Sequence, residues 1–231
     1  MATPPKPFSN TAKEIIGQSP FKDFPPTLIE QLLKDAIRID IPVGSTLYQE
    51  EAEPRCGMVI AGLIRVFMTS PDGRQVTVRY VRTGDILGLA AITGGPAPVN
   101  VQVIVDSTLL ILNNQTLQNS GRSDPKVGWL IAEELTRRLY EVLEALAGNT
   151  FSSVRQRVAR HLLDLAASNQ QSRELTTKVT QQELADAVGS VRPVVARTLK
   201  ELREEGLIET IATGILIIQP IKLLGETWSR K

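Results

Sequence analysis

Four cations fall between residues 192 and 203: Arg192, Arg197, Lys200 and Arg203. Their types and spacing suit nucleic-acid recognition. The planar guanidinium fork can donate two hydrogen bonds to O6 and N7 of a guanine, and an ammonium suits a phosphate. Arg192 and Arg197 lie near the start of a helical segment, where base edges are met, with Pro193 beside them. Lys200 and Arg203 lie further along, where phosphate contacts position a protein without reading sequence. Thr180, Gln181 and Ser190 are further candidates for phosphate positioning. The same four cations would also suit a solvated helix face, so the surrounding elements decide between the readings.

Those elements are legible. Thr180-Gln181-Gln182-Glu183 is a capping box that opens a helix with Leu184, Ala185 and Val188 inward. Gly189 breaks that helix, and Ser190 is the expected cap of the next. The second helix is expected to bury Val194, Val195, Leu199 and Leu202. Pro193 is tolerated in its first turn, because first-turn amides have no intrahelical acceptor. Gly206-Leu207-Ile208 closes the unit, and Glu209 to Ile218, bent at Ala212-Thr213-Gly214, reads as a two-stranded wing. Upstream, Ser153 and Gln156 form a second capping box ahead of Val158, Leu162, Leu163 and Leu165; Ser168 to Thr177 reads as a polar loop. Two short helices, a tight turn, a basic second helix and a wing make a winged helix-turn-helix.

The N-terminal half has another texture. Residues from Phe8 to Arg38 read as helical pieces, with Leu28, Ile29, Leu32, Leu33 and Ile37 at helical spacing after Pro25-Pro26. From Ile39 to about Leu112 short β-rich runs alternate with glycine and proline. They cover 46–48, 57–60, 63–67, 75–81, 101–105 and 109–112. That pattern predicts an antiparallel sandwich, barrel or roll. From about Pro125 to Gly148 the period becomes helical. Ala132, Leu135, Leu139, Val142 and Leu146 are spaced three, four, three and four, a seam for a partner helix. Ile131, Leu143 and Ala145 could lay a second face on the sheet, and Gly148-Asn149 is the expected helix end. The fold class expected is α+β: a jelly-roll-like antiparallel β-roll, a long dimerisation helix and a C-terminal winged helix-turn-helix. The domains are expected at 1–124, 125–149 and 150–231.

Composition narrows the chemistry. The chain has 231 residues, 42% hydrophobic and 22% charged, with a net charge of +1, so any DNA-binding surface must be a local patch. With one cysteine, Cys56, no internal disulfide and no cysteine cluster can form. One histidine, and neither a Gly-x-Ser-x-Gly elbow, a Walker loop nor a His-Glu-x-x-His motif, argue against an enzyme. The acid pairs Glu50-Glu51 and Glu133-Glu134 are sequence neighbours whose side chains diverge. No apolar run approaches a membrane span, and Met1 to Pro7 read as a short disordered lead with no secretory signal behind it, so a cytoplasmic protein is expected. Neither metal nor cofactor is predicted.

The runs Ala185-Asp186-Ala187-Val188-Gly189-Ser190-Val191-Arg192-Pro193 and Lys200-Glu201-Leu202-Arg203-Glu204-Glu205-Gly206-Leu207-Ile208 resemble the DNA-binding domain of the CRP/FNR family of bacterial regulators. Gly62-Leu63-Ile64-Arg65-Val66, Asp72-Gly73-Arg74-Gln75-Val76 and Gly84-Asp85-Ile86-Leu87-Gly88 resemble that family's cyclic-nucleotide-binding-type roll. The resemblance spans roughly residues 10 to 220. It implies a homodimeric transcription regulator on pseudo-palindromic double-stranded DNA, with RNA polymerase as a further partner and no membrane. Cyclic-AMP-binding relatives hold the ribose with a Glu, the phosphate with an Arg-Ser pair, and adenine with a polar pair on the dimer helix. The matching positions here are Leu89, Val99, Asn100, Val142 and Leu143, four of them apolar. A cyclic nucleotide would find no charge for its phosphate. The resemblance therefore implies a regulator that does not use cyclic AMP and has an unknown effector. Arg65, Arg79 and Arg82 could bind an anion elsewhere in the roll, although solvated strand residues are the commoner case. The alternatives are an apolar or anionic small-molecule effector, or a redox signal at Cys56, which otherwise reads as a small core residue. His161 reads as structural or surface. At the base-reading helix, many relatives carry an acidic residue where Pro193 stands, and that residue accepts from cytosine N4. Proline has no such acceptor, so preference at that base pair should be relaxed or read through a thymine methyl.

Overall fold

The computed structural model describes residues 10–48, 55–73, 75–168 and 175–228. The lead at Met1–Pro7 and the pair Glu50-Glu51 lie outside the described residues. By its contacts the chain divides into two compact units, one of Met1–Phe67 with Arg79–Val142, the other of Met68–Val78 with Leu143–Lys231.

The first unit opens with helices α1 (Asn10–Gln18) and α2 (Pro26–Lys34), the latter with proline in its first turn. Ile37 does not extend α2 as expected. It begins strand β1 (Ile37–Ile41), because Asp35 and Ala36 close the helix through bonds back to Gln31 and Leu33. The roll continues with β2 (Thr46–Tyr48), β3 (Gly57–Thr69), β4 (Gln75–Arg82), β5 (Ile86–Leu87), the short helix α3 (Ala91–Gly94) and β6 (Asn100–Ile111). Strand β6 pairs antiparallel with β1 and β2 along one edge and with β3 along the other, and β3 also pairs with β5. The runs at 57–60 and 63–67 prove to be one strand. Gly62 bends it rather than ending it: φ is +102°, and a Cβ there would lie 2.2 Å from the Ser107 hydroxyl. The runs at 101–105 and 109–112 are likewise one strand, β6.

Helix α4 (Asn114–Ser123) was not foreseen; Asn113 caps it by accepting hydrogen bonds from the amides of Gln115 and Thr116. Leu117 and Val127 are fully buried with Phe21, Phe24, Leu28, Leu32, Cys56, Met58 and Leu110 in one core.

Helix α5 runs Pro125–Phe151, three residues past Gly148. Gly148 does not cap it. The missing side chain instead leaves room for the Arg160 guanidinium, 2.9 Å from where a Cβ would stand. The inner face of α5 begins apolar, with Val127 and Ile131 buried, and turns ionic, with Glu134 at 7% exposure. Of the second-face residues expected, Ile131 is in the core, whereas Leu143 is 50% exposed.

In the second unit, α6 (Val154–Leu165), β7 (Ala167–Ser168), β8 (Leu175–Thr177), α7 (Gln181–Val188), α8 (Arg192–Glu204), β9 (Ile208–Ile211), β10 (Gly214–Ile217) and α9 (Pro220–Trp228) follow in order. Both expected capping boxes, Ser153 with Gln156 and Thr180 with Glu183, are present. Ser168 to Thr177, expected as a polar loop, instead includes the end of β7 and all of β8, and these two strands extend the wing into a four-stranded sheet in the order β7-β8-β10-β9. Gly214, at φ +144°, permits this: a Cβ there would lie 2.2 Å from the Thr177 carbonyl oxygen. Val158, Leu162, Leu184, Val195, Leu199, Leu202 and Leu223 form the core. The β3–β4 hairpin tip belongs to this unit. A Cβ on Gly189 would lie 3.8 Å from the Gln75 carbonyl oxygen.

Candidate nucleic-acid interface

Helix α7 ends on Gly189, left-handed at φ 63° and ψ 44°, and the Ser190 amide bonds back to the Ala185 carbonyl. The Ser190 backbone amide therefore serves to end α7. The N-cap of α8 is Val191, with extended backbone and no side-chain cap. The cap thus stands one residue past the expected one, and the inward phase of the helix is the expected one at Val195, Leu199 and Leu202. Val195, Thr198, Leu199 and Leu202 are the buried side of α8. Val194, expected inside, is 39% exposed. Arg192, Pro193, Arg197 and Lys200 are all exposed, with Pro193, Arg197 and Lys200 opposite the buried side.

The two outward cations are held lightly. Arg197 pairs with Glu201 at 3.3 Å and Lys200 with Glu204 at 3.6 Å, both one turn apart. The Arg197 and Lys200 side chains are 81% and 69% exposed. Exposed pairs of this kind contribute about 0.3–0.5 kcal/mol each, so a base or phosphate competes for either cation at little cost. Arg203 is turned to the wing, where its Nη1 donates to Thr210 Oγ1 at 3.1 Å. Thr180 is exposed and Gln181 half-buried, at the amide-rich start of α7.

The turn is braced from behind. Arg157, on α6, donates from Nε to the Val188 carbonyl at 2.9 Å and from Nη1 to the Ser152 carbonyl at 2.6 Å. Arg155 donates to both carboxylate oxygens of Glu205 and, at 2.9 Å, to Glu226. These hydrogen bonds hold the Arg155 guanidinium firmly in its charged form. Neither bracing arginine was singled out in the sequence.

In the roll, the cyclic-nucleotide positions are scattered by environment. Leu89 is a core residue at 4% exposure, Val99 and Asn100 are half-buried, and Val142 and Leu143 are 40% and 50% exposed. Arg65 is not a solvated strand residue. It is buried, with its guanidinium 4.5 Å from the centre of the Phe67 ring, and it lies across from Gln102 as Phe67 lies across from Asn100. Arg79 is not solvated either, whereas Arg82 is exposed. Arg79 pairs with Glu141 at 3.4 Å and donates to the Ile86 carbonyl. Arg138 reaches Glu134, Glu141 and Asp85 at 2.7, 3.0 and 3.2 Å, and Arg137 also holds Glu134 and Glu141. Three arginines and three carboxylates thus tie α5 to the roll. Burial, then the neighbouring Arg138 charge, lowers Arg79 to about 10 against the pull of Asp85, Glu141 and Glu134, so it stays protonated at neutral pH. An open cleft of about 420 Å³ beside this network is lined by Ser19, Lys22, Thr83, Asp85, Glu134 and Arg137.

Cys56 and His161 are both buried, and burial pushes the Cys56 thiol up to about 12. Among the described residues no cluster of three or more His, Cys, Asp or Glu could hold a metal, and no helix is long and apolar enough to cross a membrane.

A roll followed by a capped helix-turn-helix with a wing defines a DNA-binding regulator class. Residues 38–123 match the cyclic nucleotide-binding domain and residues 156–225 the Crp-like helix-turn-helix domain. The chain is 30% identical over 171 residues to the transcriptional regulator LdrP of Thermus thermophilus, covering 73% of this chain and 85% of that one. It is 28% identical over 203 residues to the CRP-like cAMP-activated global transcriptional regulator of Mycobacterium tuberculosis, covering 85% and 91%. The crystal structure of a putative transcriptional regulator of the CRP/FNR family from Eubacterium rectale superposes with a TM-score of 0.75 at 22% identity, over 90% of this chain and 97% of that one. The chain belongs to the CRP/FNR family of transcription regulators, and its helix-turn-helix is a DNA-binding domain.

Proposed function

We propose that this regulator works as a homodimer on pseudo-palindromic operators, reads guanines through Arg192 and Arg197, and does so without cyclic AMP. Residues 1–124 act as the sensor, 125–149 as the dimer helix and 150–231 as the reader. The observation that carries the reading is α8 itself. One side is sunk in the core through Val195, Leu199 and Leu202, so the opposite side, with Pro193, Arg197 and Lys200, is held rigidly outward.

The dimer is supported by the seam. Leu139, Val142 and Leu146 are 55%, 40% and 61% exposed, Ala132 is exposed and Leu135 half-buried, an apolar row at heptad spacing on a helix that also exposes Trp129, Tyr140, Leu143 and Phe151. Independence from cyclic AMP is supported by Leu89, which occupies the ribose-binding position and is packed in the core. A thiol signal at Cys56 has little chemical support, since the thiolate is the reactive form and burial disfavours it. RNA polymerase as a partner and the cytoplasm as compartment follow from the family alone.

The test is selection from random duplex DNA by the full chain with no nucleotide added. The expected product is a pseudo-palindrome with guanines in each half-site, half-sites about 10 base pairs apart, and affinity that falls as salt rises. Enrichment of a single unrepeated half-site, or of sequences without guanine preference, overturns the reading.

A further inference from the structure

The start of α8 is apolar where DNA-facing helices need polar anchors. Val191 is 61% exposed and Val194 39%, and Pro193 between them is exposed as well. These side chains serve neither of the usual purposes. They are not core, since Val195, Leu199 and Leu202 fill that role. They do not cap, since valine and proline offer no acceptor and Val191 makes no side-chain cap bond. Three apolar side chains exposed within four residues, with Arg192 among them and Arg197 one turn on, therefore call for an occupant. The flanking guanidinium groups restrict it to a polyanion.

Duplex DNA presents one apolar group on its major-groove edges, the 5-methyl of thymine. We propose that Val191, Pro193 and Val194 form a methyl-reading tip that selects thymine next to the guanine contacted by Arg197. This rests on the base-reading role given above to α8. Arg197 stands three residues beyond Val194 and four beyond Pro193, a rise of about 4.5–6 Å along the helix. That corresponds to one or two base steps of about 3.4 Å. The selected thymine therefore lies one or two pairs from that guanine.

The experiment replaces each thymine of the selected operator, one at a time, by deoxyuridine, which removes the methyl and keeps every hydrogen-bonding group. Binding of the full chain is measured against each duplex. Burying one methyl is worth about fourfold in affinity, so one or two positions per half-site should weaken binding by about that factor. Val194→Ala should bring the thymine-to-uracil ratio at one such position to near unity while guanine preference persists; Val194→Ile should keep the ratio. The wild-type measurement stands even if a variant fails to fold. If guanine preference is intact and no uracil substitution alters affinity, the methyl-reading tip is wrong. If guanine preference is itself absent, the base-reading role of α8 has failed and the tip falls with it.

Discussion

Leu139→Glu is the sharpest probe of the dimer. In the single chain Leu139 is 55% exposed, so the substitution leaves the chain's own core intact and far-ultraviolet circular dichroism should not change. Burying a whole leucine is worth about 1.5–3 kcal/mol, so covering the exposed half is worth about 1 kcal/mol per copy, or about 2 kcal/mol for a symmetric pair. Two glutamates facing each other at about 5 Å, with an effective dielectric near 20, add about 3 kcal/mol of repulsion. The sum, about 5 kcal/mol, weakens the dimer by more than about a thousandfold. Sedimentation velocity at micromolar concentration should show dimer for the wild type and monomer for the variant. Leu139→Gln, which loses the packing but not the neutrality, should fall between them. A Leu139→Glu chain that sediments as a dimer refutes the seam.

Isothermal titration with cyclic AMP should give no heat of binding, and a low-micromolar dissociation constant would contradict the reading of Leu89, Val99 and Val142. In a binding-energy matrix, Arg197→Ala should cost about 1–3 kcal/mol and flatten preference at one pair per half-site, whereas Lys200→Ala should weaken all sequences alike and lower the salt slope by about one unit. Equal loss on every sequence for Arg197→Ala would reduce that arginine to a phosphate contact. Arg138→Met removes the central cation facing Glu134 but leaves Arg137 there, so a loss of about 2–3 kcal/mol is expected by urea denaturation; an unchanged midpoint would show that the network contributes nothing net. The Cys56 thiol sits at about 12 when folded against 9.0 ordinarily, so the unfolded chain releases its proton first. Cys56 thus contributes stability below about pH 9 that is lost as pH rises toward 12, and Cys56→Ala should flatten that decline in a pH series of melts.

What the sequence disclosed was local. Both capping boxes, the Gly189 break and the wing depend on residues a few positions apart, so spacing alone locates them. The cap lies at Val191 rather than Ser190, and Val194, about 100° round the helix from Val195, falls at the edge of the buried stripe rather than within it. The runs split at Gly62 are continuous because glycine marks a bulge as readily as a break, and only the Ser107 side chain across the sheet decides which. The ionic tie between α5 and the roll was invisible for another reason. Glu134, Arg138 and Glu141 show helical spacing, but their partners Arg79 and Asp85 lie some fifty to sixty residues earlier and look like ordinary strand and turn charges.

The β3–β4 hairpin makes the two units interleaved in sequence rather than strung in series. Eleven residues, Met68–Val78, are made long before the chain that completes their unit begins at Leu143. During synthesis that hairpin emerges early and waits for its neighbours, so the helix-turn-helix unit is finished only by a closure across residues 79–142. The same arrangement limits modular exchange. A fragment starting at residue 143 carries every side chain proposed to read bases and lacks the hairpin part of its unit. A graft of this reader onto another sensor must bring its own hairpin tip or work beside a foreign one.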